Sequence, residues 1–366
     1  MYLGLFVIIV EKEKKSKIKK ILVNLTIFIL LIILTFSLVL KDQDVSQIFS
    51  VAAKVKKQYI LFAVLAMSIY ILGEAVNITR ILKELGEKSK FISNIRYTLI
   101  GFFFSAITPA ASGGQPMEIY YMHKDDISVA NSTLALLMQL CSLQIVTITV
   151  GIISAVIHFD VLKSGLIYLL IIGIILNSSA LMLLIIAIFS KRLSEGLIKF
   201  VVKLLKFFRI HNVEKKQEKL EKELESYQTS AKYIKEHKIL MLKTILTTLV
   251  QMIAYYSVPY WIYLAFGLKE YNIFEIATLQ AVLYATVSGI PSPGSVGVSE
   301  GGFLGIFRNV FPETIISSAM LLTRGANFYL FIIISAIIVM ISTFREKRIE
   351  KKQMKETEVV TEKNEE

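Results

Sequence analysis

The sequence predicts an all-α polytopic membrane protein with about six full spans and two re-entrant helical hairpins that enter from opposite faces. Three observations lead there. The chain is 54% hydrophobic with a mean hydropathy of +0.61, too apolar for an ordinary soluble domain. Its apolar residues are gathered into long uncharged runs at 21–40, 127–157, 164–190, 244–268 and 325–344. Its basic residues sort onto alternate sides of those runs.

Each run meets the requirement of about 20 mostly apolar residues for a spanning helix. A shorter run, 58–73, becomes long enough if the helix continues past Glu74. Residues 1–10 are apolar, 11–20 are strongly basic, and the first long run follows. That run is too long for a signal-peptide core and has no small-residue cleavage site, so it reads as an uncleaved first span.

With the N-terminus in the cytoplasm, 32 basic residues fall on the cytoplasmic side and seven on the other, which are Lys41, Lys54, Lys56, Lys57, Lys163, Lys269 and Arg308. This is the positive-inside pattern of a multi-pass protein of the cell membrane with both termini cytoplasmic. It also requires segment 97–122 to begin and end in the cytoplasm and segment 273–310 to begin and end outside. Each must therefore enter the membrane and turn back.

Both segments carry helix-breaking chemistry. The stretch 105–118 reads SAITPAASGGQPME and 288–300 reads SGIPSPGSVGVSE. Four of the chain's six prolines sit here, Pro109, Pro116, Pro291 and Pro293. Proline interrupts the helix ladder and glycine permits a positive φ. A break at membrane depth must be buried in protein or line a wet cavity. The steps from Pro109 to Glu118 and from Pro291 to Glu300 are equal, and opposed hairpins at matching places suggest an inverted repeat. A helix restarting after each break offers free N–H groups and a partial positive charge to an anion. The candidate headgroup-binding residues are Thr108, Pro109, Ser112, Gly113, Gly114, Gln115 and Glu118 in the first segment, and Pro291, Pro293, Gly294, Gly297 and Glu300 in the second. Arg324 joins them, because a guanidinium can hold a phosphate bidentately. The alternative use of the glycines is close helix packing.

Intramembrane charges cost roughly 2.5–3.5 kcal/mol each on insertion scales. Glu118 and Glu300 can carry protons or cap their helices, and the residue types do not separate the two. Glu74 reads as an interfacial side chain that snorkels. Cys141 reads as a packing residue. His123, His158, His211 and His237 have no metal-ligand spacing and are expected in solvent. No metal, cofactor or nucleotide motif is found.

Between the runs 164–190 and 244–268 lies a charged cytoplasmic insert, 191–239. Its first part, 193–208, interleaves apolar residues with Lys199, Lys203 and Lys206, as in an amphipathic helix lying on an anionic leaflet. In the second part, Val213, Leu220, Leu224, Tyr227, Ala231 and Ile234 form one stripe of a helix, expected to be solvated, with the first helix of the insert or a second subunit as the other places to pack it. The division is thus 1–20, a basic N-terminus; 21–344, the transmembrane domain; and 345–366, a charged tail expected to be disordered. The net charge of +12 points to a membrane surface, not to nucleic acid.

At ITPAASGGQP (107–116), PSPGSVGVSE (291–300) and Arg324, the chain resembles the transmembrane, flippase-like domain of lysylphosphatidylglycerol synthase, also called the multiple peptide resistance factor. The stretch RILKELG at 80–86 is similar but less specific. The resemblance spans about residues 20–345. It implies a translocase that moves aminoacylated phosphatidylglycerol between leaflets, with membrane phospholipid as partner. In full-length members a separate C-terminal domain makes that lipid from aminoacyl-tRNA. Only about 22 residues follow the last span here, too few for such a domain. The expectation is a stand-alone translocase rather than an enzyme. Lysyl transfer to phosphatidylglycerol and a scaffold for a separate lipid-modifying enzyme are the alternatives, and the oligomeric state stays open.

Overall fold

A computed structural model describes residues 26, 45–108, 111–158, 166–190, 196, 213–290 and 292–345. The N-terminus, the first span apart from residue 26, the amphipathic stretch 193–208 apart from Gly196, the tail after Arg345, Pro109, Pro291 and His211 lie outside the described residues.

All the elements among the described residues are helices. A short helix, α1 (Val45–Ala53), precedes α2 (Lys57–Glu84). Then come α3 (Phe91–Ile107) and α4 (Gly114–Lys124), α5 (Val129–Ile157), α6 (Leu166–Phe189) and α7 (Val213–Glu236). The last group is α8 (Lys238–Ala265), α9 (Ile273–Val287), α10 (Val298–Ile306) and α11, which starts at Ile316 and runs to Arg345 through a π turn at Gly325–Tyr329. Helices α2, α5, α6, α8 and α11 are long and apolar enough to cross a membrane. Their apolar side chains remain exposed on the outer faces, as at Ile153, Leu183 and Ile333, which suits a lipid solvent.

As required for a full span, α2 runs on past Glu74 for ten more residues. Arg324 does not head the last span: α11 begins at Ile316, so the arginine lies inside a 30-residue helix. The hydropathy pattern placed the start late because Arg324 interrupts the uncharged run.

Hydrogen bonds at the two ends of the bundle establish the sense of the hairpins. At one end the Lys56 N–H donates to Ala265 O at the close of α8 (3.0 Å). His158 at the close of α5 meets Thr278 early in α9 (2.7 Å), and the Tyr271 hydroxyl, just before α9, donates to Asn309 O, just after α10 (3.2 Å). At the other end Arg80, late in α2, donates to Lys243 O, early in α8 (3.0 Å). Glu87 accepts from Ser128 N (3.2 Å) at the start of α5, and Asp125, just after α4, is bonded by Arg96 and Tyr97 of α3. The hairpin α3–α4 therefore opens at one end and α9–α10 at the opposite end.

Helix α2 packs along α8 under a buried polar clasp. Asn77 Nδ2 reaches Gln139 Oε1 of α5 (2.8 Å), Thr244 O (3.2 Å) and Thr248 Oγ1 (3.0 Å) of α8. Such bonds replace the hydrophobic force that lipid cannot supply between helices. Close approach does the same work between α6 and α9. A Cβ on Gly173 would lie 2.8 Å from both Thr286 Cα and Thr286 O.

Helix α7 departs from the expected solvated element. Ala231 is buried and Tyr227 packs with it against the cluster containing Leu134 and Met138 of α5, while Ser230 Oγ donates to Asn131 Oδ1 (2.7 Å). These two residues of the stripe lie against the start of α5 within the same chain. His158 is likewise half-buried against Thr278, not free in solvent.

Substituting Gly173→Ala is expected to push α6 from α9 and destabilise the protein by about 1–3 kcal/mol. Thermal unfolding in detergent reads this out, with Gly196→Ala, which meets nothing within 4 Å, as the control.

Candidate functional site

The two hairpin tips meet at a cavity of about 490 Å³ in the middle of the bundle. Its wall is formed by Ser105, Ala111, Ser112 and Gln115 from the first hairpin and by Ser288, Ser292, Gly294, Ser295 and Ser299 from the second. The long helices complete it with Tyr70 and Glu74 of α2, Gln139 and Gln144 of α5, Asn177 of α6, Tyr255 of α8, and Arg324, Asn327 and Phe328 of α11.

The first tip closes on Thr108. Its hydroxyl donates to Phe104 O (2.6 Å) and accepts the Gly113 N–H (2.9 Å), so one side chain satisfies backbone on both sides of the break. Gly113 is the N-cap of α4. A Cβ on Gly114 would collide with Ser105 Oγ and stand 2.9 Å from Gly101 O, so the tip tolerates no larger residue there. Ser112 and Gln115 reach the cavity.

The second tip is more constrained. Pro293 opens a single 3₁₀ turn, Gly294 has φ +58° and Gly297 has φ +87°. Positive φ at these two positions is what glycine allows. Glu300 accepts the Gly297 N–H on Oε2 (2.7 Å), so it caps α10. Its other oxygen, Oε1, accepts from Arg324 Nε (2.7 Å) and from the Tyr329 hydroxyl (3.2 Å). Arg324 Nη2 donates to Gly294 O (3.1 Å), and the guanidinium lies 4.0 Å from the centre of the Phe328 ring. Glu300 is fully buried and Arg324 is 7% exposed. One ion pair thus ties α10, α11 and the broken turn together. The carboxylate that ends the second motif occupies the start of α10, where the sequence offered room for an external anion.

Glu118 has a different environment. It is the fifth residue of α4, beyond capping reach, and is 3% exposed. Its carboxyl fits a notch left by Gly101, where a Cβ would overlap Oε1. Its Oε2 has no hydrogen-bond partner among the described residues.

Glu74 is the residue that sequence reasoning put in the wrong place. It does not snorkel at an interface; it lines the cavity. The signal was present, because Glu74 continues the inward stripe of α2 through Ala63, Met67 and Ile71 to Ile78 and Ile81. Tyr70, Tyr255 and Tyr284 were also missed, and their rings sit 5.3–5.4 Å apart in sequence around the wall. No His, Cys, Asp or Glu group suited to a metal ion occurs among the described residues.

Membrane-length helices around two opposed broken hairpins, with a polar chamber where the tips meet, define an integral membrane protein of the re-entrant-hairpin type. The family model described as the lysylphosphatidylglycerol synthase TM region matches residues 21–335, and the chain belongs to that family. It is also similar to a UPF0104 membrane protein of Archaeoglobus fulgidus, 26% identical over 271 residues that cover 72% of this chain and 80% of the relative.

Removing one partner of the Glu300–Arg324 pair strands a buried charge, which typically costs about 3–5 kcal/mol. Arg324→Met alone is expected to lower the unfolding temperature sharply. The double variant Glu300→Gln with Arg324→Met should recover much of the loss, because no uncompensated charge remains and glutamine still caps Gly297. A double-mutant cycle by thermal unfolding checks both.

Proposed function

We propose that this protein is a translocase for a phosphate-bearing lipid, and that the headgroup crosses through the central cavity while the acyl chains stay in the bilayer. The observation that carries this is the meeting of two oppositely directed hairpin tips at one polar cavity, inside helices whose outer faces are apolar. Its volume, about 490 Å³, falls within the roughly 300–1,000 Å³ of small-ligand sites and suits a headgroup rather than a whole lipid. Hairpins that open at opposite ends suit alternating access, with each tip gating one side.

In this scheme Arg324 meets the phosphate. Its Nε and one Nη2 proton hold Glu300 and Gly294, which aims the guanidinium at the cavity it lines. Of its five donors the remainder can serve an oxygen ligand. Gly294 adds no side chain to the cavity wall, and Ser112, Gln115 and Ser295 supply polar contacts. Family membership supports an aminoacylated phosphatidylglycerol or a similar lipid as substrate. The end bearing Arg80, Lys83, Lys88, Lys90, Arg96 and Lys124 faces the cytoplasm of the cell membrane by the positive-inside rule. A separate enzyme that makes the lipid is the natural partner there.

The test uses purified protein in phosphatidylglycerol vesicles, with fluorescent phosphatidylglycerol and lysyl-phosphatidylglycerol as probes of transbilayer movement. The protein should accelerate movement of at least one probe. Ser112→Leu and Gln115→Leu, which place apolar bulk on the cavity wall, should each abolish the acceleration in protein that remains monodisperse. Failure of the wild type with both probes overturns the proposal, and transfer of labelled lysine from lysyl-tRNA to phosphatidylglycerol by the purified chain would assign transferase activity instead.

A further inference from the structure

The cavity holds two carboxyl groups that the headgroup scheme does not use, Glu74 and Glu118. The charged and titratable groups around them can be named element by element. Helix α2 brings Tyr70 and Glu74, α8 brings Tyr255, α9 brings Tyr284, and α11 brings Arg324. Helices α3 and α5, which pack directly on α4, bring no charged side chain to the cavity wall. The guanidinium in the wall is committed to Glu300 at 2.7 Å, and no Lys or Arg among the described residues pairs with Glu74 or Glu118. The second carboxylate motif of the chain is thus neutralised within the protein, and the first is not.

A buried carboxylate with no counter-ion and one oxygen without a hydrogen-bond partner among the described residues is costly to ionise, and a second carboxylate in the same cavity repels it. Yet the surroundings are shaped for this one. Gly101 clears the notch that receives the Glu118 carboxyl, and a side chain there would expel it. The same cavity wall carries further buried oxygens without hydrogen-bond partners among the described residues, Thr98 Oγ1, Gln280 Oε1 and Asn327 Oδ1, from three different helices. These residues are each at least nine-tenths buried. Gln280 Oε1 and Asn327 Oδ1 can only accept hydrogen bonds, so the wall holds acceptors that a donor has yet to meet.

We propose that Glu118, with Glu74 across the same cavity, is a proton-binding site, and that proton uptake and release at Glu118 accompany headgroup movement. The step is one proton taken from solvent by the Glu118 carboxylate, which goes from one negative charge to none; no electron moves and no other bond changes. Protonated Glu118 becomes a donor toward neighbouring acceptors, and a dianionic cavity becomes a monoanionic one. The state of the pair thereby alters how the chamber receives a phosphate. Proton binding stands on the cavity geometry alone; its coupling to lipid rests on the translocase function proposed above.

Two measurements on the same phosphatidylglycerol vesicles test the two parts separately. Infrared titration should show a protonated-carboxyl C=O stretch in wild type near neutral pH, lost in Glu118→Gln. Glutamine has the same shape and fits the Gly101 notch, and retention of the wild-type unfolding temperature checks this. The absence of any such band assignable to Glu118 in folded protein overturns the proton site. In the second measurement, a transmembrane pH gradient should change the movement of the fluorescent phosphatidylglycerol probe in wild type and not in Glu118→Gln, and a sodium gradient should have no effect. A pH response that survives in Glu118→Gln, or a sodium response that Glu118→Gln removes, overturns the coupling. If no lipid moves in either protein while the Glu118 band is present, the translocase function and its proton coupling fail and the proton site stands.

Discussion

In hydrocarbon a backbone N–H or C=O that is not bonded to the protein is bonded to nothing, and each such group costs several kcal/mol. Two interrupted hairpins therefore impose conditions on everything around them. The first interruption is closed by a single threonine hydroxyl that serves Phe104 O and Gly113 N together. The second is closed by a carboxylate on Gly297 N and a guanidinium on Gly294 O, themselves joined as an ion pair. The five long helices complete the requirement by walling the tips from lipid. The clasp of Asn77 on α5 and α8 and the close contact at Gly173 hold that wall without help from a hydrophobic force.

The two hairpins match in sequence and differ in electrostatics. Pro109 to Glu118 and Pro291 to Glu300 are the same number of residues apart. Helix α4 starts at Gly114, four residues before its glutamate, whereas α10 starts at Val298, two before. That offset of half a turn decides the chemistry. Glu300 falls where a side chain can turn back onto the N-cap and is met by Arg324. Glu118 falls on the next turn, points into the notch at Gly101, and finds no cation among the described residues. An arrangement that repeats in topology has one neutralised acid and one exposed to the cavity, and this asymmetry is what separates anchoring from proton binding in the proposed mechanism.

The π turn at Gly325–Tyr329 follows directly from Arg324. Such turns widen the helix ladder by one residue and are common where a helix must present side chains that its regular period would turn away. Here the turn brings Asn327 and Phe328 to the cavity wall beside Arg324, and Tyr329 to Glu300. Glycine at 294 makes room for the Phe328 ring, so the turn and the broken tip are shaped against one another.

By itself the sequence determined the class of fold, the breaks and their opposed sense, because each reports a property of a single segment. Twenty uncharged residues measure transfer from water into lipid, proline and glycine measure the local cost of continuing a helix, and alternating basic loops count crossings. The same reasoning selected Thr108, Gly113, Gly294, Glu300 and Arg324 as special without knowing what each would touch. Only the tertiary structure decided that Glu300 belongs to Arg324, that Glu118 pairs with no cation among the described residues, that Glu74 faces inward and that α7 lies on α5. Those outcomes depend on which helices meet and at what offset. A buried charge is stabilised or stranded by a partner distant in sequence, as Glu300 is by Arg324, and hydropathy along one chain carries no record of that pairing.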